Sequence, residues 1–261
     1  MALRTWMLEN IMDDSRKIAS STNPADQAKL LGIDIEWLRF LQLDDVEFGK
    51  IKGVHDAVTR DRYRYVVYPA PENVHRWSRL CRPGDVKAVI VGQDPYHDGS
   101  ACGLAFGTVP GGKIPPSLGN IYKELTRSIV GFIAPSSGCL DAWCKEGVLL
   151  INSVFTVIKG KPGSHETLGW QLLCDKVIAS VSKNNENVVF MLWGKHAQEK
   201  EYLIDGGKHL ILKSSHPSPR VTSTRSPFVG NGHFATANEY LSRRGDIMIN
   251  WCAICERQPD M

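Results

Sequence analysis

Four short runs of apolar and β-branched residues recur along the chain without alternation of polar positions. They are Lys87–Gly92 (KAVIVG), Gly147–Ser153 (GVLLINS), Asn187–Trp193 (NVVFMLW) and Lys208–Lys213 (KHLILK). Runs of this kind suit strands covered on both faces, as in a parallel sheet. Between them lie two helical stripes, Leu118, Ile121, Tyr122 and Leu125, then Trp170, Leu173, Val177 and Val181, spaced by three and four residues. Upstream, Asp34 stands as the cap of a helix whose Trp37, Leu38 and Leu41 share a face, and a second helix follows Pro71 with Val74, Trp77 and Cys81. Strands alternating with helices through right-handed crossovers predict a single-domain α/β fold with a central, four-stranded, mostly parallel sheet flanked by helices. Residues 1–55 are expected as a helical extension packed on an α/β domain of residues 56–261. In such a sheet, chemistry is expected just past the carboxyl ends of the strands.

Composition narrows the class. The chain has 261 residues, 43% hydrophobic and 23% charged, as in an ordinary globular protein. It has no apolar run long enough for a membrane span, and its start, MALRTWMLENIMDD, resembles neither a secretory signal nor a mitochondrial presequence. Seven cysteines without a signal peptide point to reduced thiols in a nuclear or cytosolic setting. The net charge of +3 is mild, but its distribution is not. From Gly206 to Asn238 there is no Asp or Glu, while Lys208, Lys213, Arg220 and Arg225 are all positive. Such a segment suits contact with a polyanion, and equally suits a solvated basic loop.

The strand ends carry the candidate chemistry. The first strand runs into Gln93, Asp94, Pro95, Tyr96 and His97, and the stretch continues to Phe106. Asn152 closes the second, Trp193-Gly194-Lys195-His196 follows the third, and the fourth leads to His216 in Ser215-His216-Pro217-Ser218-Pro219-Arg220. A carboxylate can place water or stabilise a cationic sugar, and a neutral histidine can donate to an anionic leaving group. An Asn side chain sets donor beside acceptor and reads one edge of a nucleobase, while an aromatic ring stacks on a base taken out of its helix. Each residue alone also fits structural duty, Asp94 at a turn, Asn152 on backbone, His216 in a loop. Their joint position at strand ends favours a pocket.

Four ordered motifs then carry a resemblance. Gly92-Gln93-Asp94-Pro95-Tyr96-His97 (GQDPYH) resembles the water-activating motif of family-1 uracil-DNA glycosylases. Ile114-Pro115-Pro116-Ser117-Leu118 with NIYKEL resembles that family's proline-rich loop, Leu149-Leu150-Ile151-Asn152 its uracil-specificity strand, and His216-Pro217-Ser218-Pro219 its HPSP segment. The likeness runs from about Tyr68 to Trp251. It implies that Asp94 and His216 are catalytic and that Gln93, Tyr96, Phe106 and Asn152 line a uracil pocket. It further implies that Pro116, Ser117, Ser218 and His97 meet the DNA backbone, and that neither cofactor nor metal takes part. The substrate implied is uracil-containing DNA, single- or double-stranded, in a nucleus (the host's, for a viral protein). Replication proteins and a DNA-mimicking inhibitor protein are the implied protein partners of a monomer.

The chain departs from the family pattern in three places. The stretch from His97 to Phe106 is one residue short (DGSACGLAF), and Glu201-Tyr202 stands where the family has a phosphate-pinching Gly-Ser pair. Arg220 replaces the leucine that follows HPSP, in a loop two residues longer than usual, which resembles herpesvirus members. The side chain that fills the vacated base stack is then Val221, Phe228 or Val229, with Phe228 favoured. Cys252-Ala253-Ile254-Cys255 with Cys139 and Cys144 is a poor zinc set for want of spacing and histidine, and Gly111-Gly112-Lys113 lacks phosphate-loop spacing. Two rival readings remain, a metal-dependent nuclease and a non-catalytic DNA-binding subunit.

Overall fold

The computed structural model describes residues 23–221 and 226–255. The helical entry is built by local capping. Asn23 accepts from the Ala25 N–H ahead of α1 (Pro24–Leu31), and Gly32, at φ +70°, ends it with its own N–H on the Ala28 carbonyl. Asp34 accepts from the Glu36 N–H at 2.8 Å and opens α2 (Ile35–Leu41), as the sequence predicts. Asp44 and Glu47 satisfy each other's backbone N–H groups at the start of α3 (Asp45–Arg62). This helix runs unbroken past residue 55, the expected edge of the extension. Its buried face, Phe48, Ile51, Val54 and Val58, joins the same hydrophobic cluster as the central sheet. Trp37 packs edge-on to Trp77 at 5.0 Å and donates its indole N–H to the Cys81 carbonyl at 2.7 Å. Residues 1–22 of the expected extension lie outside the described residues.

Past α3 come the short strand β1 (Val67–Tyr68), a 3₁₀ turn at Pro71–Asn73, and α4 (Arg76–Leu80). The single helix expected after Pro71 is thus split in two. The remaining order is β2 (Ala88–Gly92), α5 (Pro116–Ser128), α6 (Asp141–Lys145), β3 (Val148–Asn152), β4 (Val157–Ile158), α7 (Gln171–Asn184), β5 (Val189–Trp193), α8 (Lys195–Gln198), β6 (Leu210–Ser214) and α9 (His233–Arg243). β1 pairs antiparallel with β4.

The central sheet has the order β3-β2-β5-β6, parallel throughout. Every residue of β2, β3 and β5 is buried, which is why these runs carry no polar alternation. β6 is the edge strand, only partly covered, and starts two residues later than its apolar run. The register sets Gly92 opposite Asn152 and Trp193 opposite Ser214. The carboxyl ends of all four strands therefore finish level, along one edge.

Candidate active site

Four segments leave that edge and converge. At the end of β2 the lack of a side chain on Gly92 matters. A Cβ there would lie 2.1 Å from Asn152 Oδ1, so only glycine lets the Asn152 amide lie across the strand end. Asn152 is 7% exposed, a buried amide at the floor of the site. Two residues beyond Gly92, Asp94 Oδ2 accepts from the Gly163 N–H at 3.0 Å, which fixes the carboxylate. The Gln93 carbonyl is held by the Val154 N–H at 2.9 Å.

The loop then returns under its own constraints. Tyr96 donates its hydroxyl to the Phe106 carbonyl at 3.3 Å, and burial pushes its phenol pKa up, so the ring stays neutral. Phe106 has φ +62°, a conformation costly for a bulky side chain and found where surroundings enforce it. The outcome is a ring 5.7 Å from both Trp193 and His216.

His216 enters from β6. Gly194, at φ +84°, makes room for it, because a Cβ there would lie 2.8 Å from His216 Cβ. Its Nδ1 accepts from the Ser218 N–H at 3.0 Å. Burial, helped by the positive field of His196, lowers its pKa below the usual 6.5. Both facts select one state: a neutral imidazole whose hydrogen is on Nε2, free to donate. Asp94, Asn152, Phe106 and His216 thus meet at one edge with Gln93 and Tyr96.

The expected backbone contacts sit around this centre. Exposed Pro116 and half-buried Ser117 open α5, whose start no side chain caps. Half-buried Ser218 accepts at its hydroxyl from the Arg220 N–H at 3.3 Å, and His97 accepts at its carbonyl from the Gly160 N–H at 2.9 Å. Phe228, the favoured wedge, requires a correction. It is 5% exposed and its ring packs edge-on to Trp193 at 4.9 Å, so it anchors the loop from inside. Its aromatic size and the apolar Trp193 beneath it drew it into the core. Arg220, Val221 and Val229 are exposed, and residues 222–225 lie outside the described residues.

Several residues that sequence reasoning passed over complete the site. Asn120 donates to the Pro217 carbonyl at 2.8 Å. Glu124, 1% exposed, accepts from the backbone N–H groups of Gly230 and Gly232, the latter at 2.9 Å. Ser117, Asn120 and Glu124 share one face of α5, a polar stripe that marks the face without naming what it holds. Glu201 is paired with Lys213 at 2.8 Å. Cys252 and Cys255 are half-buried, and among the described residues no three metal-ligating side chains gather into a metal site.

Comparison with known proteins agrees with this geometry. The model of the uracil DNA glycosylase superfamily matches residues 78–242. The uracil-DNA glycosylase of human herpesvirus 6A (strain Uganda-1102) is 51% identical, covering 96% of this chain and 98% of that protein. The uracil-DNA glycosylase of human cytomegalovirus (strain Merlin) is 52% identical over the same shares. Among solved structures, mimivirus uracil-DNA glycosylase superposes with a TM-score of 0.76 at 28% identity, covering 86% of this chain and 88% of that one. A mimivirus variant solved in complex with UGI gives a TM-score of 0.73 at 29% identity, covering 83% and 87%. With the family model covering more than half of the chain and near-full-length relatives at this identity, the chain belongs to the uracil DNA glycosylase superfamily.

Proposed function

We propose that the protein is a DNA repair glycosylase that takes deoxyuridine out of the helix and hydrolyses its N-glycosidic bond, releasing uracil and leaving an abasic site. The observation that carries this reading is His216, its Nδ1 taken by the Ser218 N–H and its ring facing Phe106, at the edge that holds Asp94 and Asn152. Asp94, held by Gly163, places the attacking water and stabilises the cationic sugar as the bond opens. His216 donates from Nε2 to uracil O2 as negative charge gathers on the leaving base. A preorganised donor of this kind is worth about 3–4 kcal/mol of barrier.

Specificity follows from the same groups. Asn152 reads O4 and N3–H, where cytosine presents the opposite pattern, and Phe106 stacks on the base. The backbone at Gln93 meets the O2 edge. Tyr96, fixed by its bond to the Phe106 carbonyl, stands against C5 and overlaps the methyl of thymine. Pro116, Ser117, Ser218 and His97 hold the strand, and Val221 or Val229 fills the vacated stack. Chemistry of this form needs no metal or cofactor.

The protein acts as a monomer on single- or double-stranded DNA in the nucleus, alongside replication proteins. The acid-free segment 206–238 supports attraction to DNA, and seven free cysteines suit a reducing compartment. A DNA-mimicking inhibitor such as UGI, seen on a mimivirus relative, would occupy the same groove.

Matched oligonucleotides carrying one U, T or C, incubated with protein in EDTA and weighed before and after alkali, test the reading. Base loss from the U strand alone, with the backbone intact until alkali, is expected. Strand cutting that needs added Mg²⁺ would replace this reading with a nuclease, and DNA binding without base loss would replace it with an accessory subunit.

A further inference from the structure

The Gly163 N–H that holds Asp94 belongs to a tight turn after β4. Within the turn, the Ser164 N–H donates to the Lys161 carbonyl at 3.2 Å and the Glu166 N–H to the Gly163 carbonyl at 3.0 Å. Ser164 Oγ accepts from the Ile158 N–H at 2.8 Å, which pins the turn to the strand. The next residue, His165, is only 1% exposed, a polar ring sunk into the core beneath a surface turn.

Around that ring runs a chain of hydrogen bonds. Trp170 donates its indole N–H to Thr156 Oγ1 at 2.8 Å, and Thr156 Oγ1 lies 2.8 Å from His165 Nδ1. Thr156 and Trp170 are both buried. An indole only donates, so the Thr156 oxygen accepts there and its own hydrogen goes to His165 Nδ1. The ring's hydrogen is then on Nε2, which lies 3.4 Å from the Asp61 carboxylate near the end of α3. The opposite tautomer would set a bare nitrogen lone pair against that carboxylate. Burial lowers the His165 pKa, which favours the neutral ring that this chain needs. A buried polar chain costs desolvation that apolar packing would avoid; what it supplies is one fixed orientation of the ring, two residues from Gly163.

We propose that Thr156, His165 and Asp61 are positioning residues for the hydrolysis: their chain locks the turn, so that the Gly163 N–H presents the Asp94 carboxylate at the angle the attacking water requires. The proposal rests on the glycosylase reading above. Asp61 belongs to α3, so the chain also couples the N-terminal helices to the carboxylate that acts on the bond.

The test is single-turnover release of uracil from a single-stranded deoxyuridine oligonucleotide over a range of protein concentrations, which separates the maximal rate from the half-saturating concentration. Thr156→Val keeps the shape and removes the hydroxyl. It is expected to lower the maximal rate by about 10- to 100-fold, the cost of a small misplacement of a reacting group, with half-saturation moved by less than about twofold. Thr156→Ser restores the hydroxyl and should restore most of the rate. Asp61→Ala, at a half-buried position, is expected to slow release by about three- to tenfold. In the Asp94→Asn background both losses should nearly vanish, because the chain acts through that carboxylate. A parental rate in folded Thr156→Val would overturn the proposal, as would a Thr156→Ser variant as slow as Thr156→Val. Equal fold losses with and without the Asp94 carboxylate would also overturn it, since the chain would then only support the fold. If Thr156→Val does not fold, Asp61→Ala decides by the same comparison, a parental rate or an equal loss in both backgrounds overturning the proposal. Failure of the glycosylase reading is a separate result, visible as no uracil release by the unsubstituted chain.

Discussion

At the scale of single residues, the site works by removing choices. His216 has two nitrogens, and the Ser218 N–H occupies one, so the other must carry the hydrogen. Burial and the nearby His196 both disfavour a second proton, so the ring is expected to be less than half charged at pH 6.5, where free imidazole is half charged. Titration of the His216 ring nitrogens by NMR checks this; half-protonation at or above pH 6.5 would contradict it. Tyr96 removes a different choice. Tied to the Phe106 carbonyl, it is held where the proposed reading puts C5 of the base. Tyr96→Ala is expected to raise excision of thymine by about tenfold or more, the usual worth of one carbon group in a rigid pocket, while excision of uracil persists. Unchanged rejection of thymine would place the guard elsewhere.

At the scale of elements, α5 does more than carry the proposed phosphate contact at its start. One face carries Ser117, sets Asn120 on the Pro217 carbonyl and places Glu124 under Gly230 and Gly232. The helix therefore fixes both ends of the loop that leaves His216. Glu124→Ala leaves two loop amides without their acceptor. It is expected to cost about 2–3 kcal/mol in urea unfolding and to depress excision from duplex more than from single strands. No change in either would mean that the loop holds itself. The parallel sheet, α5 and α7 were legible because their apolar periodicity is unbroken, and the strand-end residues because sheet topology says where chemistry collects. Phe228 was misread because exposure of one loop aromatic depends on a partner, Trp193, 35 positions away in sequence. Glu124 went unnoticed as a support because a lone acid in a helix gives no sign of the two glycine amides that reach it from a distant loop. The split after Pro71 reflects a 3₁₀ turn whose apolar spacing mimics a helix.

At the scale of the molecule, one hydrophobic core joins the capped N-terminal helices to the sheet; His75 and His233 are buried and His55 is half-buried. His55 and His75 face each other with Nε2 atoms 3.0 Å apart, so one donates and the other accepts. Burial lowers His55 and His233 to about 4 and His75 well below its ordinary value. Unfolded, these rings bind protons near pH 6.5; folded, His55 and His233 do so only near 4 and His75 only well below its ordinary value. The unfolded state therefore holds more protons in that window, so stability is full above pH 6.5 and declines as pH falls toward 4. Urea midpoints measured from pH 7.5 to 4 check this, and a flat profile would count against buried neutral histidines. The central claim is that Asp94 and His216 carry the bond cleavage. Single-turnover release of uracil from a deoxyuridine strand, compared among the parent, Asp94→Asn and His216→Ala with folding verified, tests it most directly. The account predicts rates lower by about 100- to 10,000-fold for Asp94→Asn and about 100- to 1,000-fold for His216→Ala; near-parental release by either folded variant would contradict it.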